Sequence, residues 1–132
     1  MTWEELQNEI KSLAAKIDYT PDVIIGIVRG GLIPARLLSN ELKVRNMYCL
    51  TVEKVGANRK VATDILEDVS GKKILLVEDV LETGKSLQVA KAYLEVKGAE
   101  VKTMCLYTMP ISQIKPDYSL KKINETIKFP WE

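Results

Sequence analysis

Ile74-Leu75-Leu76-Val77-Glu78-Asp79-Val80-Leu81-Glu82-Thr83-Gly84-Lys85-Ser86-Leu87 is the stretch whose reading decides the fold. Four consecutive apolar residues open it, the run expected of a strand buried on both faces in a parallel sheet covered by helices. Two carboxylates follow at once. Ligands of open α/β sheets bind at the carboxyl ends of the strands, so Glu78 and Asp79 are expected at the mouth of a site. A helix is predicted from near Lys85 to about Lys97, with Leu87, Val89, Ala90, Leu94 and Val96 as apolar positions and Gly98 as its stop. Between strand and helix, Glu82-Thr83-Gly84-Lys85-Ser86 offers a glycine, two hydroxyls and a helix N-terminus. Unpaired backbone N–H groups and the positive end of the helix dipole suit a phosphate there.

Gly84-Lys85-Ser86 also matches the end of an ATP-binding P-loop, but that motif needs a glycine five residues before the Gly-Lys pair, where Asp79 stands. An acid pair repels a polyphosphate laid along the loop, whereas sugar hydroxyls donate hydrogen bonds to carboxylates. The stretch therefore reads as a sugar-phosphate site, with hydroxyls on Glu78 and Asp79 and the terminal phosphate on residues 83–87. The plain structural alternative is a strand followed by an acidic first helical turn, which the dipole favours in any protein.

Composition narrows the classes. A length of 132 residues with 46% hydrophobic content accommodates a single domain, 1–132, with one core. Nineteen Lys and Arg against 18 Asp and Glu leave a net charge of +1, which gives no general attraction to nucleic acid or to a membrane surface. No segment approaches the apolar length of a transmembrane helix, and the N-terminus carries acids where a signal peptide carries a basic and then an apolar run. Cys49 and Cys105 each fall in an apolar strand pattern and read as reduced core residues of a cytoplasmic protein. The chain contains no His, which excludes the usual zinc sites and Ser–His or Cys–His nucleophilic catalysis.

Taken in order, residues 2–18 read as a helix, with Thr2 and Glu5 as a capping box and Leu6, Ile10, Leu13, Ala14 and Ile17 on one face. Residues 22–28 form a second buried-strand pattern, followed directly by Arg29-Gly30-Gly31 and a helix carrying Leu32, Pro34, Ala35, Leu37, Leu38 and Leu42. The glycines permit close backbone approach, and the Arg supplies a planar cation for phosphate oxygens; the same pair is equally compatible with a simple tight turn. A strand over 44–52, a polar loop over 53–60, a strand over 61–66 and a strand over 100–108 complete the core. Helices alternating with apolar strands imply an α/β fold, a mainly parallel sheet flanked by helices. The tail from Pro110 to Glu132 is polar and proline-rich, and ends in an aromatic latch.

Four apolar residues, an acid pair, two apolar residues and then acid-Thr-Gly-Lys-Ser closely resemble the phosphoribosyl pyrophosphate (PRPP) motif of type I phosphoribosyltransferases. Gly26-Ile27-Val28-Arg29-Gly30-Gly31-Leu32-Ile33-Pro34-Ala35 resembles the pyrophosphate loop of the bacterial and archaeal xanthine-guanine and hypoxanthine enzymes. Lys115-Pro116-Asp117-Tyr118 through Phe129-Pro130-Trp131 resembles their C-terminal segment, so the likeness covers nearly the whole chain. It implies a core over about 1–109 and a small C-terminal hood over about 110–132 that covers the nucleobase. It also implies transfer of 5-phosphoribosyl from PRPP to a 6-oxopurine such as guanine, xanthine or hypoxanthine, with release of pyrophosphate, in nucleotide salvage, with Mg²⁺ as cofactor and a homodimeric assembly.

The same resemblance distributes roles. Glu78, Asp79, Glu82, Thr83, Gly84, Lys85, Ser86 and Leu87 bind the ribose and 5′-phosphate, with Asp79 also meeting the metal. Arg29, Gly30 and Gly31 meet pyrophosphate, joined by Lys54, Arg59 and Lys60 from a mobile loop. Glu82, where the family usually has Asp, faces the base as proton acceptor, so Glu78, Asp79 and Glu82 form the catalytic group. Met109, Thr126 and Ile127 take the base positions. There the chain departs from the pattern: Met109 replaces a Lys that binds an exocyclic oxo group, and Thr126 replaces a stacking aromatic. A transferase for another base and a non-catalytic PRPP-binding regulator remain open beside the 6-oxopurine enzyme, and Lys115 is a second candidate for the missing cation.

Overall fold

Runs that are apolar at every position have to be buried on both faces, and they occupy the middle of the sheet. The computed structural model describes residues 1–132. Its elements are α1 (Trp3–Ala14), β1 (Val23–Val28), α2 (Leu32–Leu42), β2 (Met47–Val55), β3 (Asn58–Val61), β4 (Lys73–Leu81), α3 (Lys85–Val96), β5 (Glu100–Thr108) and β6 (Lys121–Lys122). The strands form one six-stranded sheet in the order β3-β2-β1-β4-β5-β6. Every pairing is parallel except that between β2 and β3.

Alternate residues of β1 and β4 feed two apolar layers. Ile25, Ile74 and Leu76 join Leu87, Ala90 and Leu94 of α3 on one face. Ile24, Leu75 and Val77 join Leu6, Ile10 and Leu13 of α1 and Ala35 and Leu38 of α2 on the other. Burial on both faces sets β4 rigidly between β1 and β5, so the carboxyl end of β4 opens onto a fixed frame.

The ends of several elements depart from the sequence reading for local reasons. The capping box of Thr2 and Glu5 is present, but α1 closes at Ala14, four residues early. The next amides turn back by three residues, Lys16 N to Leu13 O at 3.0 Å and Ile17 N to Ala14 O at 3.1 Å, in the tighter helical geometry that closes helices. Strand β2 starts at Met47 and not at Val44, because Lys43 caps α2 in the left-handed region (φ 57°) and draws Val44 N onto Ser39 O at 3.0 Å.

The expected polar loop over 53–60 is a β-hairpin. Glu53 pairs with Lys60, Lys54 with Arg59 and Val55 with Asn58, and Gly56, at φ 61°, opens the two-residue turn. The expected strand over 61–66 keeps only Val61; Ile65 and Val69 are instead plugged into the core from irregular chain. Residues 118–123 run along the free edge of β5, with Tyr118 N on Thr103 O at 3.0 Å, Leu120 N on Leu106 O at 3.0 Å and Ile123 N on Thr108 O at 2.8 Å. That edge pairing carries the tail back over the end of the sheet. Both cysteines are free, and no helix is long and apolar enough to cross a membrane.

Candidate active site

At the carboxyl end of β4 the chain stops being apolar, and a cavity of about 490 Å³ opens there. Glu78 and Asp79 lie at its floor, both half-buried. Burial pushes the Glu78 carboxyl up to about 8, and the adjacent Asp79 charge adds to the shift. Asp79 is also raised by burial, although the Val80 amide donates to its Oδ1 at 2.7 Å and opposes the shift. Cys105, which pairs with Glu78 across β4 and β5, is pushed up to about 12 by burial and then by the Glu78 charge. It is an inert core thiol.

The loop after β4 is held from two sides. Gln113 N donates to Thr83 O at 2.9 Å, and Lys85 N donates to Thr83 Oγ1 at 3.3 Å. Gly84 takes φ 84° and has no room for a Cβ, which would come within 2.7 Å of Ile114 Cγ1. Gly84 at the N-cap offers no side chain, and with Lys85 N on Thr83 Oγ1 the amides that follow in the first turn of α3 are left without a capping side chain beside the cavity. Glu82, Thr83, Gly84, Lys85, Ser86 and Leu87 all line the cavity, as their positions in the motif anticipate.

The glycines after β1 serve close packing. The space a Cβ would fill at Gly31 is held by the Val77 carbonyl, and that at Gly30 by the Asp79 carboxylate. Arg29 is exposed, and neither it nor the two glycines lines the cavity; Gly30 joins the site by its contact with Asp79. Lys54 and Arg59, opposite each other on the hairpin, both line the cavity, whereas Lys60 does not. Strand alternation explains the difference, since neighbouring residues point to opposite faces. Lys85 Nζ donates to Ala57 O at 3.4 Å and so ties the hairpin tip to α3.

Met109, Thr126 and Ile127, which the resemblance assigns to the base, line the far wall with Ile123, Phe129 and Glu132, which sequence reasoning missed. Ile123 reaches the cavity only because the tail pairs with β5, and no periodicity announces that. Phe129 is a latch and a wall at once: it is 3% exposed and stacks between Tyr107 and Trp131, with ring centroids at 6.0 and 4.4 Å. Lys115 lines a neighbouring cavity, not this one.

Electrostatically, the carboxylate pair has no cationic partner. The single ion pair in the chain, Lys97–Asp64 at 3.3 Å, lies elsewhere. No group of three or more His, Cys, Asp or Glu residues could hold a metal alone. Two unpaired carboxylates beside a phosphate cradle are the donor set that Mg²⁺ accepts when phosphate oxygens and water complete its octahedron. Hydroxyl acceptors, amide donors and cations thus converge on one concave surface suited to a phosphorylated sugar.

Known proteins share this fold. The crystal structure of purine phosphoribosyltransferase from Pyrococcus horikoshii Ot3 superposes with a TM-score of 0.93 at 37% identity, covering 100% of this chain and 91% of that one. The xanthine-guanine-hypoxanthine phosphoribosyltransferase of Helicobacter pylori shares the fold, with a TM-score of 0.88 at 22% identity over 99% of this chain and 91% of that one. Xanthine-guanine phosphoribosyltransferase of Cereibacter sphaeroides is 25% identical over 147 residues, which take in 100% of this chain and 85% of that protein. Residues 2–132 match the phosphoribosyl transferase domain, and the chain belongs to that family.

Proposed function

We propose that the chain transfers 5-phosphoribosyl from PRPP to a purine and releases pyrophosphate. The observation that carries this reading is the convergence, in one cavity, of a carboxylate pair without a cationic partner and the N-terminal turn of α3. The purine transferases among its relatives support the choice of acceptor.

Each group then has a task. The amides and hydroxyls of residues 83–87 hold the 5′-phosphate. Glu78 and Asp79 accept hydrogen bonds from the ribose hydroxyls and fix the ring. Lys54 and Arg59 face the pyrophosphate from the hairpin. Asp79, together with phosphate oxygens of PRPP, would hold Mg²⁺, which would supply positive charge for the departing pyrophosphate. The purine ring nitrogen forms a bond to the anomeric carbon as the carbon–oxygen bond to pyrophosphate breaks, and that oxygen keeps the electron pair. Glu82 receives the ring proton. Residues 110–132 act as the hood over the base.

Pyrophosphate release from Mg²⁺-PRPP, measured with each of several purines against a control without base, tests the reading. Release that depends on a purine supports it. PRPP binding without release for any purine overturns it in favour of a PRPP-binding regulator.

A further inference from the structure

The far half of the cavity contains no cation. Sheet order separates its two ends: Lys54 and Arg59 belong to β2 and β3, on one side of β4, whereas Met109 follows β5 and the remaining far-wall residues follow β6, on the other. Lys85 is drawn toward the hairpin by Ala57 O. The far wall consists of Met109, Ile123, Thr126, Ile127, Phe129 and Glu132, and its one charged side chain is a carboxylate. Glu82 adds a second negative group from the β4–α3 connection.

Met109 itself offers no donor. Its amide donates to Leu81 O at 2.9 Å and its carbonyl accepts from Ser112 N at 3.1 Å, so only the thioether, at best a weak acceptor, is presented. Three lysines stand just behind it. Lys115, Lys121 and Lys122 line a neighbouring cavity of about 510 Å³ that has Met109 as its sole residue in common with the first. Lys121 is held with Nζ 5.4 Å from the centroid of the Tyr107 ring. Met109 is therefore an apolar wall between a cationic cavity and a base compartment that has carboxylates but no cation.

We infer that Met109 selects the acceptor, and that the compartment takes an uncharged purine bearing an exocyclic amino group, a 6-aminopurine, in preference to 6-oxopurines and most strongly over xanthine. An oxo group placed against Met109 exchanges water donors for a thioether that donates nothing, which costs binding. An amino group can donate to the Glu132 carboxylate, which only accepts, whereas the Thr126 hydroxyl serves either group. Xanthine, the most acidic common purine, loses a proton near neutral pH, and its anion would sit among carboxylates with no cation to offset it.

This selectivity rests on the transferase reading, and one experiment separates the two. Measured with wild-type protein and Mg²⁺-PRPP, kcat/KM should favour adenine over hypoxanthine and exceed that for xanthine by about tenfold or more. The xanthine deficit should widen as pH rises through neutrality. Met109→Lys should shift the ratio toward hypoxanthine and xanthine. On wild-type protein, equilibrium binding of AMP should be tighter than that of XMP, a readout independent of the variant's folding. Turnover of xanthine or hypoxanthine equal to or above that of adenine overturns the selectivity while leaving the transferase reading intact. Silence with every purine overturns both.

Discussion

Gly30 and the Asp79 carboxylate occupy adjoining space: Cγ, Oδ1 and Oδ2 of Asp79 stand where a Cβ on residue 30 would be. Asp79 is short, and its Oδ1 is fixed by the Val80 amide at 2.7 Å, so it has little freedom to yield. Gly30→Ala should therefore leave the fold intact but turn the carboxylate out of place, raising the KM for PRPP about tenfold. Asp79→Asn, which keeps the shape and removes the charge, should weaken PRPP use at least about tenfold. Steady-state kinetics with thermal melts check both, and unchanged KM values in folded variants would remove Asp79 from the site.

Glu78 makes stability depend on pH. Its carboxyl is raised from 4.5 to about 8 in the folded protein by burial and by Asp79, so the folded state binds a proton that the unfolded chain has already released. Stability is unpenalised below about 4.5 and falls as pH rises toward about 8. Glu78→Gln removes the titration. The Tm of the variant minus that of wild type should be more positive near pH 8 than near pH 5. PRPP hydroxyls need the ionised acceptor, so binding should release a proton, detectable by calorimetry in buffers of different ionisation enthalpy. A flat Tm difference and no proton release would place the titration elsewhere.

What the sequence makes legible follows from burial. The positions of β1 and residues 74–77 of β4 must be apolar because both faces are covered, and a continuous apolar run reports that directly. The phosphate loop is legible because its residues are contiguous, so local geometry suffices to place them. The hairpin is not, since Glu53, Lys54, Asn58 and Lys60 are exposed at a sheet edge and polar residues satisfy a strand there as well as a loop. The β6 region is defined by backbone bonds to β5, which leave no trace in side-chain pattern. Ile123, Phe129 and Glu132 therefore entered the cavity only when the tail was placed in space.

The hairpin makes one side of a ladder functional. Lys54 and Arg59 face each other across β2 and β3 and line the cavity, while Lys60 points away. Arg59→Ala should raise the KM for PRPP about tenfold, as expected for losing a charge-assisted contact to phosphate, with Lys54→Ala somewhat milder. Lys60→Ala should have the smallest effect of the three. An equal loss in all three would mean that the hairpin acts through general positive charge, and that loss would fade in high salt.

Phe129 ties the tail to the body of the protein. Its ring stacks on Tyr107 at 6.0 Å and on Trp131 at 4.4 Å, and the Tyr107 hydroxyl donates to Glu9 in α1. The Met1 ammonium group donates to Lys128 O at 3.3 Å, so tail and N-terminus meet on the same face. Phe129→Ala removes a buried aromatic side chain and leaves a void, at a cost of about 3–5 kcal/mol. A melting temperature lower by roughly 10–20 °C is the corresponding shift for a domain of this size. Phe129→Leu should lose less than half as much, because most of the apolar volume remains. If the tail detaches before the sheet melts, amide exchange in the Phe129→Ala protein should rise over residues 118–132 and stay slow in β1 and β4. Uniformly faster exchange throughout the sheet would instead make Phe129 part of the global core.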